Sequence, residues 1–260
     1  MPRTSEPGRS VSSRLLELLF AFRKGHQILS LAELERETGM PHATARRLML
    51  ELEEAGAVDR LEDGRFAPGI RLWQLATLTP RTESLRVLAR PFMDDLYGAL
   101  RQHVQLAVLA EDHAVIIERM SAPQAVSLAS EVGGRLPLHC SGVGKVLLSH
   151  ADRELIDRVL SGRLSPYTPL TVTDPAVLRR QLAACRQTGT ATVRAELTRE
   201  ADSIATRIVD ASGQVVAALS VVVRSESVKL EAATPSVITS GLAISRALGW
   251  QPSVSIKWPP

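Results

Sequence analysis

The amino-acid sequence predicts an α+β fold in two parts, a small helical N-terminal domain and a larger domain with a mainly antiparallel sheet. Three observations lead to this prediction. Apolar residues recur at helical spacing in three early segments, and EDGR at residues 62–65 then forms a hairpin signal between two short apolar runs. Farther along, β-rich runs alternate with helical patterns. We place the domains at residues 11–77 and 78–250, between tails at 1–10 and 251–260.

Boundary signals are clearest around the second N-terminal helix. The Ser30 side chain can accept a hydrogen bond from a free backbone N–H group of the first turn, and Glu33 completes a capping box with Ser30. Leu29 and Leu34 occupy the positions of a hydrophobic staple. Gly39 favours the left-handed backbone that ends a helix. The spacing therefore predicts a helix between Ser30 and Gly39.

The third helix has one apolar face and one basic face. Pro41 suits its first turn, because the missing N–H costs nothing there. The apolar face consists of Ala45, Leu48, Met49, Leu52 and Ala55. Ala43, Arg46 and Arg47 then point away from the core. Three helices followed by a hairpin predict a winged helix-turn-helix.

A helical stretch joins the two predicted domains. One helix begins at Ile70, and TPRTES at residues 79–84 is expected to break it, which places the domain boundary there. Another helix is expected at about residues 85–102. The stretch from Ile70 onward is therefore the predicted linker.

The second domain combines strands and helices. The run VQLAVLAEDHAVIIERM predicts two strands around a turn, and ASGQ at residues 211–214 predicts another hairpin. A last helix is expected from about Pro235 to Leu248. Other helical patterns lie at residues 141–149, 153–160 and 175–188. This order predicts an α+β domain with a mainly antiparallel sheet.

Composition and charge limit the possible functions. No apolar run is long enough to span a membrane and no signal peptide is evident, so we expect a cytoplasmic protein with no membrane partner. Cys140 and Cys185 do not form a disulfide framework. The net charge of +3 and the pI near 9.2 permit nucleic-acid binding. Residues 1–77 hold eleven Lys or Arg and eleven Asp or Glu, so any DNA contact must come from local placement of charge.

The segment HCSGVGK at residues 139–145 suggests enzymes, but its spacing argues against them. His139 stands where a phosphate-binding loop needs its first glycine. Ser141 and Lys145 are one residue too far apart for a Ser-x-x-Lys pair. His139 and Cys140 are chain neighbours, which rarely face each other as base and nucleophile. The histidines show no metal-ligand spacing. From these spacings together we expect no catalysis, no metal and no cofactor.

The first turns of the third helix are the candidate DNA contact. There arginine can pair with guanine in the major groove, and hydroxyls can reach phosphate. Wing arginines can hold the flanking backbone, and a backbone amide at the start of the second helix can meet a phosphate. The candidates are Ser30, His42, Ala43, Thr44, Arg46, Arg47, Arg60 and Arg65. The acidic ELEE at residues 51–54 would mark where the helix leaves the groove. The alternative is a protein-interaction module with solvated arginines.

Both halves of the chain resemble one family. The run from SVSSRLLELLFAF to APGIRLWQLA is similar to the winged helix-turn-helix of the IclR-type bacterial transcription regulators. The segments GGRLPLHCSGVGKVLLS and IATRIVDASGQVVAALSV are similar to motifs in that family's second domain. The resemblance runs from about Ser10 to Trp250. It implies dimeric DNA-binding heads, a linker helix and a GAF-like effector domain for a small organic acid or an aromatic metabolite.

The resemblance also implies the residues of an effector pocket. These are Gly142, Val143, Val193, Ser203, Ser220 and Val222. From the residues alone, Ser220 and Val222 share one strand face, and the amides of Ser141–Gly144 can meet a carboxylate at a helix start. The alternative for Ser220 is a buried hydroxyl bonded to backbone.

Four positions depart from the family pattern. Val193 stands where a polar residue is frequent, and Glu196 alone remains of an acidic pair. Glu200 replaces a glycine, and Arg207 replaces a proline or small residue. We therefore expect a larger, partly apolar effector, such as an aromatic or branched carboxylate. Arg207 is expected to pair with Glu196 or with this ligand.

These observations favour a ligand-responsive transcription factor. It is expected to bind double-stranded operator DNA as a homodimer or as a dimer-of-dimers tetramer, with its DNA binding controlled by the small-molecule effector. A catabolic operon is the expected target. Two alternatives remain, an enzyme that uses the α+β domain and a winged-helix interaction module that does not bind DNA.

Overall fold

The structure is a computed structural model that describes residues 10–22, 26–77, 80–121, 131–225 and 230–251. The chain divides into two compact units, Met1–Glu83 and Ser84–Pro260. The predicted tails lie almost wholly outside the described residues, and the predicted domain limits stay predictions. No helix in the described parts of the chain is long and apolar enough to cross a membrane.

The first unit has the order of elements that the sequence predicts. They are α1 (Val11–Ala21), α2 (Leu31–Thr38), α3 (His42–Glu54), β1 (Val58–Arg60), β2 (Phe66–Pro68) and α4 (Ile70–Thr77). The two strands pair antiparallel across the predicted EDGR turn. Backbone hydrogen bonds of 2.9 and 2.8 Å between Leu29 and Phe66 tie this wing to the start of α2. Val58 and Phe66 enter the same apolar core as α1, α2 and α3.

The signals predicted around α2 are confirmed. Ser30 Oγ accepts the N–H of Glu33 at 3.3 Å, and Glu33 Oε2 accepts the N–H of Ser30 at 2.8 Å, which completes the capping box. Leu29 and Leu34 are both buried, as a hydrophobic staple requires. Gly39 ends the helix with a φ of 68°, a backbone that glycine adopts without strain. The turn into α3 is therefore set by local chemistry.

The third helix differs from its prediction at both ends. Pro41 precedes α3 as its N-cap residue, with the extended ψ of 141° typical of that position, and does not lie in the first turn. Ala55 follows the last helical residue and is exposed, so it does not belong to the buried face. The other four residues of that face are buried as predicted: Ala45, Leu48, Met49 and Leu52.

Most of the segment expected to break the linker is helical. The next helix, α5 (Pro80–Leu100), begins at Pro80 and not near Leu85. Proline fits a first helical turn because its missing N–H has no intrahelical partner there. The two residues after Thr77 lie outside the described residues, so a break there stays a prediction.

The second unit is an α+β domain on an antiparallel sheet, as predicted. Its further elements are β3 (His103–Ala110), β4 (His113–Met120), β5 (Arg135–Pro137), α6 (Gly142–His150), α7 (Arg153–Ser161), α8 (Pro175–Thr188), β6 (Thr190–Arg194), β7 (Ala201–Val209), β8 (Val215–Arg224) and α9 (Leu230–Ala247). Within the described residues, the strands form a six-stranded sheet in the order β5-β4-β3-β8-β7-β6. Both predicted hairpins, β3 with β4 and β7 with β8, are confirmed.

The last helix starts earlier than predicted. Helix α9 begins at Leu230, so Pro235 lies inside it. Leu230, Ala233 and Val237 follow helical spacing and are all buried in one core. Their burial outweighs the hydrogen bond that proline cannot donate within the helix.

Different helices cover the two faces of the sheet. On one face α6, α7 and α8 pack with Ala107, Ala205 and Ala218 of the inner strands. On the other face α5 and α9 pack with the residues that alternate with these alanines along the strands. The alanines leave room for α6 to lie close to the sheet, and every residue of α6 except His150 is buried. The amino end of α6 therefore meets the sheet directly.

Candidate functional site

The start of α3 presents a polar surface to solvent. His42, Ala43, Arg46 and Arg47 are exposed, and Thr44 is half-buried. Their positions follow from the burial of the opposite face of α3 in the core of the first unit. The structure therefore places the predicted helix candidates on one accessible surface.

Acidic neighbours contact most of the basic side chains that are predicted to contact DNA. His42 Nδ1 lies 2.7 Å from Glu35 Oε1, and Arg47 pairs with Glu51 one turn along α3. In the wing, Arg65 pairs with Asp63 at 2.7 Å, and these hydrogen bonds lower the pKa of the Asp63 carboxyl.

The remaining two arginines that are predicted to contact DNA are Arg60 and Arg46. Arg60 lies over the ring of Phe66, 5.9 Å from its centroid. Arg46 has no carboxylate partner among the described residues. Among the arginines predicted to contact DNA, Arg46 is thus the most available guanidinium.

Glu51→Gln is expected to raise DNA affinity about twofold, because it frees Arg47 from an exposed ion pair worth about 0.3–0.5 kcal/mol. A fluorescence-anisotropy titration of an operator fragment measures the change. Glu154→Gln removes the partner of Arg158 in the second unit and is expected to leave the affinity unchanged. Equal or weaker binding by the Glu51 variant would show that Arg47 does not contact DNA.

The predicted phosphate contact of Ser30 needs correction. Its N–H donates to Glu33 at 2.8 Å, and its hydroxyl donates to the same carboxylate oxygen at 2.7 Å. The capping box therefore already uses the amide that was expected to meet a phosphate. Ser30 supports the head by starting α2.

The amino end of α6 approaches the middle of the sheet. Ser141 caps the helix: its hydroxyl accepts the N–H of Gly144 at 3.2 Å and donates to the carbonyl of Pro137 at 2.6 Å. A Cβ added to Gly142 would lie 2.8 Å from Ser203 Oγ, closer than real Cβ atoms come. Glycine therefore allows this contact between helix and strand.

Strand register brings the other effector candidates to the same place. Val193, Ser203 and Val222 stand side by side on β6, β7 and β8. Ser220 lies on the same face of β8 and is buried, as is Val143 in the first turn of α6. The predicted residues thus gather on one face of the sheet near the start of α6.

Arg207 does not join this group. Its Nη1 lies 3.3 Å from Nε2 of His150 and donates to the carbonyl of Arg186 at 3.4 Å. His150 ends α6 whereas Gly142 begins it, about 12 Å away along the helix. Arg207 was predicted to pair with Glu196 or with the ligand. The first alternative is wrong, because Glu196 pairs with Lys145, and the second stays a prediction.

The sequence reasoning missed this buried ion pair. Lys145 Nζ donates to Glu196 Oε1 at 2.5 Å and to Gln181 Oε1 at 2.8 Å, and both charged residues are buried. The hydroxyl of Thr171 also donates to the carbonyl of Glu196 at 2.6 Å. The pair therefore joins α6 to the segment that follows Val193. A single lysine within the apolar run of α6 was the signal that a carboxylate partner must exist.

The cysteine and histidine of HCSGVGK are unsuited to nucleophilic chemistry. Burial raises the pKa of Cys140 to about 12, so the thiol stays protonated near neutral pH. Burial also lowers the pKa of His139, whose Nε2 donates to the carbonyl of Ser165 at 3.0 Å. Among the described residues, no cluster of His, Cys, Asp and Glu could hold a metal ion.

A winged-helix head followed by this sheet domain defines a class of DNA-binding transcription regulators. Residues 79–249 match the model of the bacterial transcriptional regulator IclR C-terminal domain, and residues 12–62 match that of the IclR helix-turn-helix domain. The chain belongs to the IclR family of bacterial transcriptional regulators and is not an enzyme. The predicted resemblance and fold class are thereby confirmed.

Individual relatives cover most of the chain. An IclR homologue from Microbacterium hydrocarbonoxydans, complexed with 4-hydroxybenzoate, is 34% identical, with a TM-score of 0.87 over 92% of this chain and 99% of that one. HTH-type transcriptional regulator Rv1719 of Mycobacterium tuberculosis is 34% identical over 198 residues, 75% of each chain. The Pca regulon regulatory protein of Pseudomonas putida is 32% identical over 225 residues, 84% of this chain and 76% of that protein.

Proposed function

We propose that this regulator binds its operator through α3 and the wing, and that an aromatic or branched carboxylate bound at the start of α6 controls that binding. The observation that carries the proposal is the close approach of Gly142 to Ser203, which stands in one row with Val193 and Val222 across β6, β7 and β8. We infer a catabolic operon near the gene as its target. The position of the operator relative to the promoter decides between repression and activation.

The pocket combines an anion-binding end with apolar walls. The N–H groups of Gly142 and Val143 are not used in hydrogen bonds within α6, and a helix amino end attracts a carboxylate. Ser203 and Ser220 add hydroxyls, whereas Val193 and Val222 offer methyl groups to a ring or a branched chain. The 4-hydroxybenzoate bound to the 34% identical solved relative supports this class of ligand.

Self-association is part of the proposal. Large apolar side chains remain exposed in the first unit, namely Phe20 on α1 and Ile70, Trp73 and Leu75 on α4. Such exposure favours contact with a second copy, and a dimer matches the two half-sites of an operator. We propose a homodimer or a dimer of dimers. The ligand would then shift the heads between states for which it has different affinities.

Isothermal titration of the full chain tests the effector class. The parent protein is expected to bind 4-hydroxybenzoate more tightly than glyoxylate. Val193→Thr is expected to lower the affinity for 4-hydroxybenzoate at least about fivefold, because it replaces a methyl group of the apolar wall by a hydroxyl of similar size. Val132→Thr, at a residue that is 56% exposed, is the matched control. Tighter binding of glyoxylate by the parent would overturn the proposed ligand class.

A gel-shift with the DNA upstream of the protein's own gene tests the coupling. Addition of 4-hydroxybenzoate is expected to change the operator affinity of the parent and to have a weaker effect on the Val193 variant at the same ligand concentration. If the ligand binds in the pocket but the operator affinity does not change, effector binding does not control DNA binding, and that part of the proposal is overturned.

A further inference from the structure

A cleft in the second unit is lined by residues other than the predicted effector residues. It is a cleft of about 230 Å³ between the start of β4, the residues after β5, and the end of α7 with its following loop. His113, Leu138, His139, Arg158, Arg163 and Tyr167 are among its lining residues. None of the predicted effector residues lines it.

One wall of the cleft offers flat aromatic surface. The buried His139 is held by its hydrogen bond to the Ser165 carbonyl, and its ring centroid lies 6.1 Å from that of Tyr167 with a tilt of 41°. Tyr167 is 53% exposed, so its ring remains available to a ligand. Leu138 and Leu164 extend this wall with aliphatic surface. The wall suits a planar, mainly apolar group.

The charges around the cleft favour an anion. Arg158 and Arg163 both line it, and Arg158 has an exposed partner in Glu154 at 3.6 Å. Arg163 is exposed and has no carboxylate partner in the described parts of the chain. Asp112 also lines the cleft, but its carboxylate is held by His113 at 2.5 Å. The lining therefore holds two arginines and one aspartate, and the aspartate carboxylate already has a partner in His113.

We propose that this cleft is a second ligand site that takes a single-ring aromatic carboxylate. The ring would lie against Tyr167 and His139, and the carboxylate would meet the guanidinium of Arg163, which can donate two parallel hydrogen bonds. The volume is below the range of about 300–1,000 Å³ common for drug-sized ligands, which limits the occupant to a small molecule. This inference does not depend on the ligand of the α6 pocket.

The cleft and the start of α6 share a rigid segment. Pro137 and Leu138 line the cleft, and the carbonyl of Pro137 accepts the Ser141 hydroxyl at 2.6 Å. A Cβ added to Gly144 would lie 2.7 Å from that carbonyl oxygen and 2.7 Å from Leu138 Cα. Because the first turn of α6 is packed this tightly on the cleft wall, the cleft and the proposed α6 pocket border the same segment of the chain.

Titration of the full chain with benzoate tests the inference. The parent is expected to bind one molecule in the cleft, and a second molecule per chain rests on the proposed function of the α6 pocket. The double variant Arg163→Gln/Tyr167→Ala is expected to lose at least about tenfold in affinity at one site, since it removes a charge-assisted hydrogen bond and a stacking surface. Arg179→Gln on α8 is the matched control at another exposed arginine. Ser203→Val alters the α6 pocket and is expected to retain the cleft site.

Crystals soaked in 4-bromobenzoate locate the sites directly through the anomalous signal of bromine. A peak in the cleft that disappears in the double variant supports the inference. One binding event that the double variant leaves unchanged, or no bromine peak in the cleft, would overturn it. Loss of binding only in the Ser203 variant would assign the ligand to the α6 pocket alone, and the cleft site would then be refuted while the proposed function stands.

Discussion

Glu196→Leu is expected to lower the free energy of unfolding of the second unit by about 3–5 kcal/mol, because it leaves a buried charge without a partner. Lys145 is 2% exposed, and its ammonium group depends on Glu196 at 2.5 Å. Gln181 at 2.8 Å is a neutral acceptor and cannot replace that charge. Urea unfolding followed by circular dichroism measures the loss.

A nearby surface pair supplies the control. Glu200 is exposed, and its Oε2 lies 3.9 Å from Nη1 of Arg224. Glu200→Leu is therefore expected to lower the free energy of unfolding by less than about 1 kcal/mol. The double variant Lys145→Met/Glu196→Leu removes both charges and is expected to recover most of the stability, because apolar replacements of a buried pair are often neutral. A Glu196 variant as stable as the Glu200 variant would show that the pair is not needed in the folded protein.

Arg46→Ala and Arg47→Ala are each expected to weaken operator binding about 5- to 150-fold, the range for losing a contact worth about 1–3 kcal/mol to a base edge. Both side chains project from the exposed face of α3. Arg46 is expected to show the larger effect, because Arg47 must first give up its pair with Glu51.

A gel-shift series at fixed salt measures both variants. Arg180→Ala, which removes the same charge from an exposed position on α8, controls for nonspecific electrostatics and is expected to bind as the parent does. If Arg47→Ala and Arg46→Ala also match the parent, α3 does not enter the groove with this face.

Local signals made the first unit predictable. The capping box of Ser30 and Glu33 and the left-handed Gly39 act within a few residues, so the sequence displays them completely. Proline positions were less informative, because Pro80 begins a helix and Pro235 lies within one. Burial of distant apolar residues decides such cases, and a local pattern does not contain that information.

In the candidate sites, too, some features could be predicted from the sequence and others depend on contacts between distant residues. Resemblance to the family suggested Val193, Ser203 and Val222, and strand register then placed them side by side. The pairing of Lys145 with Glu196 joins residues 51 positions apart in the chain, which helical or strand periodicity cannot reveal. The outer strands β5 and β6 escaped prediction because both are short, and among the described residues each pairs with a single neighbouring strand.

Those outer strands also affect how the protein behaves at high concentration. β5 has three residues and β6 has five, and β6 ends at Arg194, which forms an ion pair with Glu231 at 2.5 Å. Short edges that carry charge are poor templates for the addition of another strand. We therefore expect the edges formed by these strands, within the described residues, to resist the edge-to-edge pairing that leads to fibrils.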